Sequence, residues 1–147
     1  MFDEANPYTH CQVISEHVTK TTRHSGGGLI VEEWKYDDYL HCDDGPARIV
    51  YNNNIISIAS WCQHGQLHRE NKPAVITFFS NSTDIAIEGW FYENKKHRLD
   101  GPAEIQYYRT GKIREVTWYV NDCLIVDAPD HWPLTLEEQI EFKLRVL

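Results

Sequence analysis

The chain has 147 residues, 41% hydrophobic and 12% aromatic, and a formal net charge of −8, the composition of one ordinary folded domain and not of a disordered segment. No apolar run reaches the ~18 residues of a membrane-spanning helix, and the acidic balance argues against direct nucleic-acid binding and for a partner with a basic surface, since phosphate recognition takes clustered Lys and Arg. Met1 to Pro7 carries acids where a secretory signal carries positive charge, which points to the cytoplasm. There Cys11, Cys42, Cys62 and Cys123, with no Cys-x-x-Cys spacing, are expected as separate reduced thiols.

Residues 1–33 read as an N-terminal cap. Cys11 to Val18 is expected as a strand, Ser25-Gly26-Gly27-Gly28 as a turn, and Leu29 to Trp34 as the returning strand of an incomplete unit. Residues 34–129 then repeat. Trp34, Trp61, Trp90 and Trp118 are spaced by 27, 29 and 28 residues, a period that marks an array of small supersecondary units. After Trp90 come His97, Arg98, Asp100, Pro102 and Ala103; His68, Arg69, Asn71, Pro73 and Ala74 stand at the same offsets from Trp61, and His41, Asp44, Pro46 and Ala47 at those from Trp34. The fourth copy has Ile125 at the His position, and its Pro129 arrives early.

Each unit is expected to form a β-hairpin. Arg48 to Tyr51, Val75 to Phe79 and Glu104 to Tyr108 alternate as strands, followed by turn segments containing Asn52-Asn53-Asn54, Ser80 to Thr83 and Arg109-Thr110-Gly111. On the return strand, Ile56, Ile85 and Ile113 lie five residues before each Trp, and Ile58, Ile87 and Glu115 lie three before. Period two places each pair on one face, with the Trp in the opposite phase, so either a bulge resets the phase or both faces are partly apolar. The His-Arg-x-Asp-Gly-Pro element reads as a tight connection between hairpins, each His–Asp pair holding its own turn. The fold class is therefore mainly β, an antiparallel meander or coiled sheet of about eight or nine strands in a single domain over residues 1–147.

Residues 130–147 break the period. Thr135 with Glu138 forms a capping box for one helix near residues 135–147, acids leading and Lys143 and Arg145 closing it. Leu136, Ile140, Leu144 and Leu147 share a face that is expected to cover the last hairpin, leaving Phe142 and Val146 for the preceding loop or for a homodimer contact. Trp61 and Trp90 are expected in equivalent interior positions, and Trp132, outside the repeat, in a lesser role.

The turn ladder His41, Asp44, His68, Arg69, His97, Arg98 and Asp100 is read as structural and not as a metal site. Equivalent positions two strands apart are separated by ~9–10 Å, too far to share one ion whose ligands lie at ~2 Å. No nucleophile motif, phosphate-cradling glycine loop or His-Glu-x-x-His is present. The leading expectation is thus a non-catalytic protein-binding module without cofactor, its candidate sheet-face anchors being Tyr51, Phe79, Tyr92, Tyr108 and Tyr119. The alternatives are a small-ligand binder for a nucleotide or other anion, and a metal-dependent hydrolase using His41, Asp44 and His68.

From about Leu29 to Pro129 the pattern of Trp, Asn or Gly, and a His-Arg-x-Asp-Gly-Pro-Ala turn resembles the MORN-type repeat, most closely the longer variant in proteins of phages, giant viruses and bacteria. That resemblance implies a scaffold or binding surface. It also implies, in its most concrete form, a phage-encoded inhibitor of a host defence or regulatory protein acting in the host cytoplasm.

Overall fold

The computed structural model describes residues 9–14 and 16–147. Its strands are β1 (Thr9–Val13), β2 (Val18–Ser25), β3 (Leu29–Tyr36), β4 (Tyr39–Leu40), β5 (Arg48–Asn52), β6 (Ile55–Ser60), β7 (Cys62–Gln63), β8 (Gln66–Leu67), β9 (Val75–Phe78), β10 (Ile85–Gly89), β11 (Phe91–Tyr92), β12 (Lys95–Lys96), β13 (Glu104–Tyr107), β14 (Ile113–Thr117), β15 (Tyr119–Val120) and β16 (Cys123–Leu124). One helix, α1 (Leu136–Val146), closes the chain. The main sheet is an antiparallel meander in the order β1-β2-β3-β5-β6-β9-β10-β13-β14, with β4 paired to the end of β3. The strand expected over Cys11 to Val18 ends at Val13 and resumes at Val18 as a separate strand, so the cap is itself a hairpin. The reading of Met1 to Pro7 lies outside the described residues.

Each unit holds a second, shorter hairpin that the sequence reading took for a plain connection. Lys35–Leu40, β7–β8, β11–β12 and β15–β16 all fold back through two residues of positive φ: Asp37 and Asp38, His64 and Gly65, Glu93 and Asn94, Asn121 and Asp122. Two successive left-handed residues define the type I′ turn, whose twist matches the flanking strands, and Asp, Asn and Gly are the residues that tolerate it. A full unit therefore has four strands, two in the main sheet and two in the stack of short hairpins.

The phase question is resolved by bulges. Opposite the return strands the register shifts between Val50 and Tyr51 of β5 and between Gln106 and Tyr107 of β13, and on the return strand β10 it shifts between Ile85 and Ile87. The extra residue is Ser57, Ala86 or Arg114, four before each Trp. Ile56 and Ile58 consequently oppose Tyr51 and Val50, which are neighbours and so face opposite ways. The expectation that these isoleucines share a face fails for this reason. One face carries Ile49, Ala59, Ile76, Glu88, Ile105 and Val116 as directly opposed pairs. The other carries Val31, Val50, Ile58, Thr77, Ile87 and Gln106.

The Trp positions join the two layers of each unit by backbone bonds. The N–H groups of Trp34, Trp61 and Trp90 donate to the carbonyls of Ala47, Ala74 and Ala103 at 2.8, 2.8 and 2.7 Å. Each Trp carbonyl in turn accepts from the residue seven positions on: His41 at 3.0 Å, His68 at 3.1 Å, His97 at 3.1 Å and Ile125 at 3.0 Å. These closures explain why the seven- and thirteen-residue offsets recur while the distal turns vary, and why Ala is used: all three alanines are fully enclosed.

Most side chains of the main sheet are half-exposed on both faces. The buried apolar cluster lies at the C-terminal end and consists of Trp118, Val120, Leu134 and Phe142, with Trp132 and Val146 packed against it. Thr135 caps α1 as expected, its hydroxyl accepting from the Glu138 N–H while the Glu138 carboxylate accepts from the Thr135 N–H. The helix is rotated relative to expectation. Phe142 is 3% exposed and meets Trp118 edge-on at 5.0 Å, whereas Leu136, Leu144 and Leu147 are 73%, 80% and 81% exposed. One aromatic ring filling the space over Trp118 outweighs the longer stripe of aliphatic residues, because it removes more apolar surface at a single well-packed point.

Candidate functional site

The repeated arginine is positioned by its own unit. In the second unit the Arg69 guanidinium lies over the Trp61 ring with its carbon 3.8 Å from the ring centroid, and its Nη1 donates to the Pro73 carbonyl at 3.2 Å. Arg98 repeats both contacts, 4.1 Å from the Trp90 ring and 3.2 Å from the Pro102 carbonyl, and adds Trp132 at 5.4 Å. Trp132 thus belongs to the site, not to its periphery. A Cβ on Gly101 would stand 2.6 Å from the Trp132 Nε1 and 2.8 Å from the Arg98 Cζ, so glycine leaves room for Trp132 and Arg98 to meet here. In the first unit, where Cys42 holds the arginine position, Lys20 of β2 covers Trp34 instead, at 4.7 Å. Trp61 and Trp90 are therefore half-buried rings under cations, and the interior placement expected for them is not observed.

These groups border a cleft of about 430 Å3 between the short hairpin β11–β12 and α1. Arg69, Glu70 and Asn71 of the second unit line it with Trp90, Tyr92, His97, Arg98 and Asp100 of the third and with Gln139 and Lys143 of α1. Three permanent cations and two carboxylates line it, in a protein whose net charge is −8. Asp100 is bound to Arg98 Nε at 2.7 Å, so it neutralises one of the cations. Burial lowers the pKa of Arg69.

The imidazoles of the ladder join units, and only that of His41 also reaches an Asp of its own turn. His41 Nδ1 accepts the His64 N–H at 3.2 Å, and His97 Nδ1 meets Asn121, 2.9 Å from its side-chain Oδ1 and 3.3 Å from its backbone nitrogen, each in the following hairpin. Their rings continue a row: His17 on Tyr36 at 5.5 Å, His41 on His64 at 4.8 Å, His68 on Tyr92 at 4.7 Å and Tyr92 near His97 at 6.0 Å. The expected own-turn His–Asp pairing fails because Asp100 is taken by Arg98, while His41 reaches Asp43 at 3.1 Å and not Asp44. Asn71 sits in a left-handed turn, φ 55°, that the other two units do not use. His41 and His68 meet different neighbours, and among the described residues no three His, Cys, Asp or Glu side chains converge as a metal site requires.

The five expected anchor rings fall on separate surfaces. Tyr51 lies on the main sheet and donates its hydroxyl to Glu32 at 3.1 Å; burial, then that carboxylate, raises its pKa. Tyr107 and Glu88 repeat the pair at 2.6 Å. Phe79 and Tyr108 stand at the distal turns, Phe79 beneath Arg109 at 4.9 Å. Tyr119 lies on β15 beneath Lys96 at 4.9 Å, and Tyr92 alone lines the cleft. Phase explains the scatter: the residue equivalent to Tyr51 is Phe78, not Phe79, and Tyr107, not Tyr108. The contributions of Trp132, Gln139 and Lys143 were missed because they lie outside the repeat.

Cys42, Cys62 and Cys123 are free thiols, and the side chain of Cys11 is outside the described residues. No helix among the described residues is long and apolar enough to cross a membrane. No family model matches the chain, and comparison with curated proteins and with solved structures found no similar protein.

Proposed function

We propose that the chain is a non-catalytic module that binds a protein partner at this cleft and along the ring row of the short hairpins. The observation that supports it is the meeting of Arg69, Trp90, Tyr92 and Arg98 around one opening, since Trp, Tyr and Arg are the residues that dominate interface energies. Each guanidinium is already held by an indole and a carbonyl, so little side-chain freedom is lost when a partner arrives. The net charge of −8 favours approach by a basic surface over the ~8–10 Å reach of electrostatics in salt. Burial pushes the Cys62 thiol up to about 11, against the opposing pull of Arg48, so at neutral pH it is no nucleophile. A phage inhibitor of a host protein is one form of this reading, resting on the repeat resemblance alone.

A second reading has its own support, because about 430 Å3 is within the ~300–1,000 Å3 range of small-molecule sites. Capture from bacterial lysate with the full chain as bait, with nucleotides added in a parallel arm, separates the two. The expected result is a retained protein that is lost with Tyr92→Ala and kept with Tyr108→Ala, both variants folded. Elution by nucleotide points to the small-ligand reading, and no retained protein at any salt sinks the first.

A further inference from the structure

The second and third units differ at one chemically decisive place. In the third, Arg98 is stacked on Trp90, tied to the Pro102 carbonyl through Nη1, and bound through Nε to the Asp100 carboxylate at 2.7 Å. In the second, Arg69 is stacked on Trp61 and tied to the Pro73 carbonyl in the same way. The position of Asp100 is there taken by Asn71, a neutral amide, and that of Gly101 by Lys72. Among the described residues no carboxylate forms an ion pair with Arg69, although it is half-buried. A guanidinium held by ring and carbonyl presents its remaining N–H edge in a fixed plane, the geometry that matches a carboxylate in two parallel bonds.

We propose that the Arg69 edge of the cleft binds a side-chain carboxylate from an acidic segment of the protein partner, taking at the second unit the role Asp100 plays at the third. The proposal rests on the binding-module reading and names the chemistry of the one partner segment that enters the cleft, the basic surface favoured by the net charge of −8 lying elsewhere on that partner. Lys143 and Arg98 share the cleft with Arg69 and add positive potential there. Arg69 also borders a separate groove that contains Asp43, Asp44 and Lys72, and Asp43 is engaged with His41. Glu70 and Asp100 line the cleft as well. Three cations against these two carboxylates leave a surplus of one positive charge, which a single carboxylate neutralises and a phosphate dianion exceeds. Trp90 and Tyr92 offer apolar surface to the chain that carries the carboxylate.

The test is titration of the 15N-labelled full chain with an end-blocked tetraglutamate peptide, following the Nε–H resonances of the two arginines, with inorganic phosphate in a parallel arm. The Arg69 resonance is expected to shift saturably while that of Arg98 stays. Arg69→Lys, which keeps the charge but removes the fork, is expected to weaken peptide binding about tenfold, the loss typical of a charge-assisted bond. Asp100→Asn is expected to make the Arg98 resonance respond too, a gain that holds the test open if the Arg69 variant unfolds. An unmoved Arg69, equal movement of both arginines in the unaltered chain, or an equal response to phosphate at the same concentration overturns the assignment. A partner captured equally well by folded Arg69→Lys overturns it too, while leaving the binding-module reading intact.

Discussion

The C-terminal end and the repeat array are stabilised in different ways. At the end, Trp118, Val120, Leu134 and Phe142 form a small dry cluster, each 6% exposed or less. In the array the equivalent rings of Trp61 and Trp90 are half-exposed, capped by arginines, and the units are tied by backbone bonds at fixed offsets. The fourth unit lacks the Arg, and Val126 stands in its place, so its Trp turns to α1 instead of to a cation. One repeat position can thus be an interior residue or a cation platform, depending on whether a cation, from eight residues later or from a neighbouring strand, reaches its ring.

Phe142→Ala should break the comparison most severely. It opens a cavity against Trp118 and should cost about 3–5 kcal/mol, read as a lower urea midpoint. Trp90→Ala should cost less, about 2 kcal/mol, because part of the ring is already in water and the lost cation contact contributes at most ~1 kcal/mol at such a site. If the two losses are equal, the distinction between core and platform is wrong. His97→Phe keeps a ring but removes the Nδ1 that binds Asn121; a loss of about 1 kcal/mol is expected, with shifted Asn121 resonances. The smallest effect belongs to Leu144→Ser, where 80% exposure predicts a change within about 0.5 kcal/mol in the melting curve of the monomer.

The sequence displayed the period, the meander, the strand segments and the helix cap, because hydrophobic alternation, Gly-Pro turns and a Thr–Glu box act over a few residues. It hid the short hairpins, whose strands are only two residues long and carry no readable alternation. The bulges at Ser57, Ala86 and Arg114 were hidden too: a single inserted residue leaves the spelling of a strand unchanged but exchanges its faces. The helix was misjudged because counting apolar residues favoured Leu136, Ile140, Leu144 and Leu147, whereas the size of one ring decided the packing. At the site, His68, Arg69, His97, Arg98 and Asp100 were legible as a recurring set. Their joining across units was not, since it depends on which hairpin tip lies next in space.

Those tips also say how the array comes apart. Asn94 and Asp122 each hold the preceding hairpin twice, the backbone N–H donating to the carbonyls of Leu67 and Lys96 and the side-chain oxygen accepting from the N–H of the same two residues at 2.7 Å. Gly65, at the matching tip of the second unit, has no side chain and holds Leu40 through the backbone bond alone, at 2.9 Å. A Cβ there would meet the Tyr39 ring at 3.1 Å, so the omission is enforced by packing. The first two units are therefore joined at their tips without the side-chain clasp of the later ones, by the Gly65–Leu40 and Cys42–Cys62 backbone bonds and the His64 N–H on the His41 imidazole, and opening at this junction is expected to release no side-chain acceptor of the Asn94 or Asp122 kind.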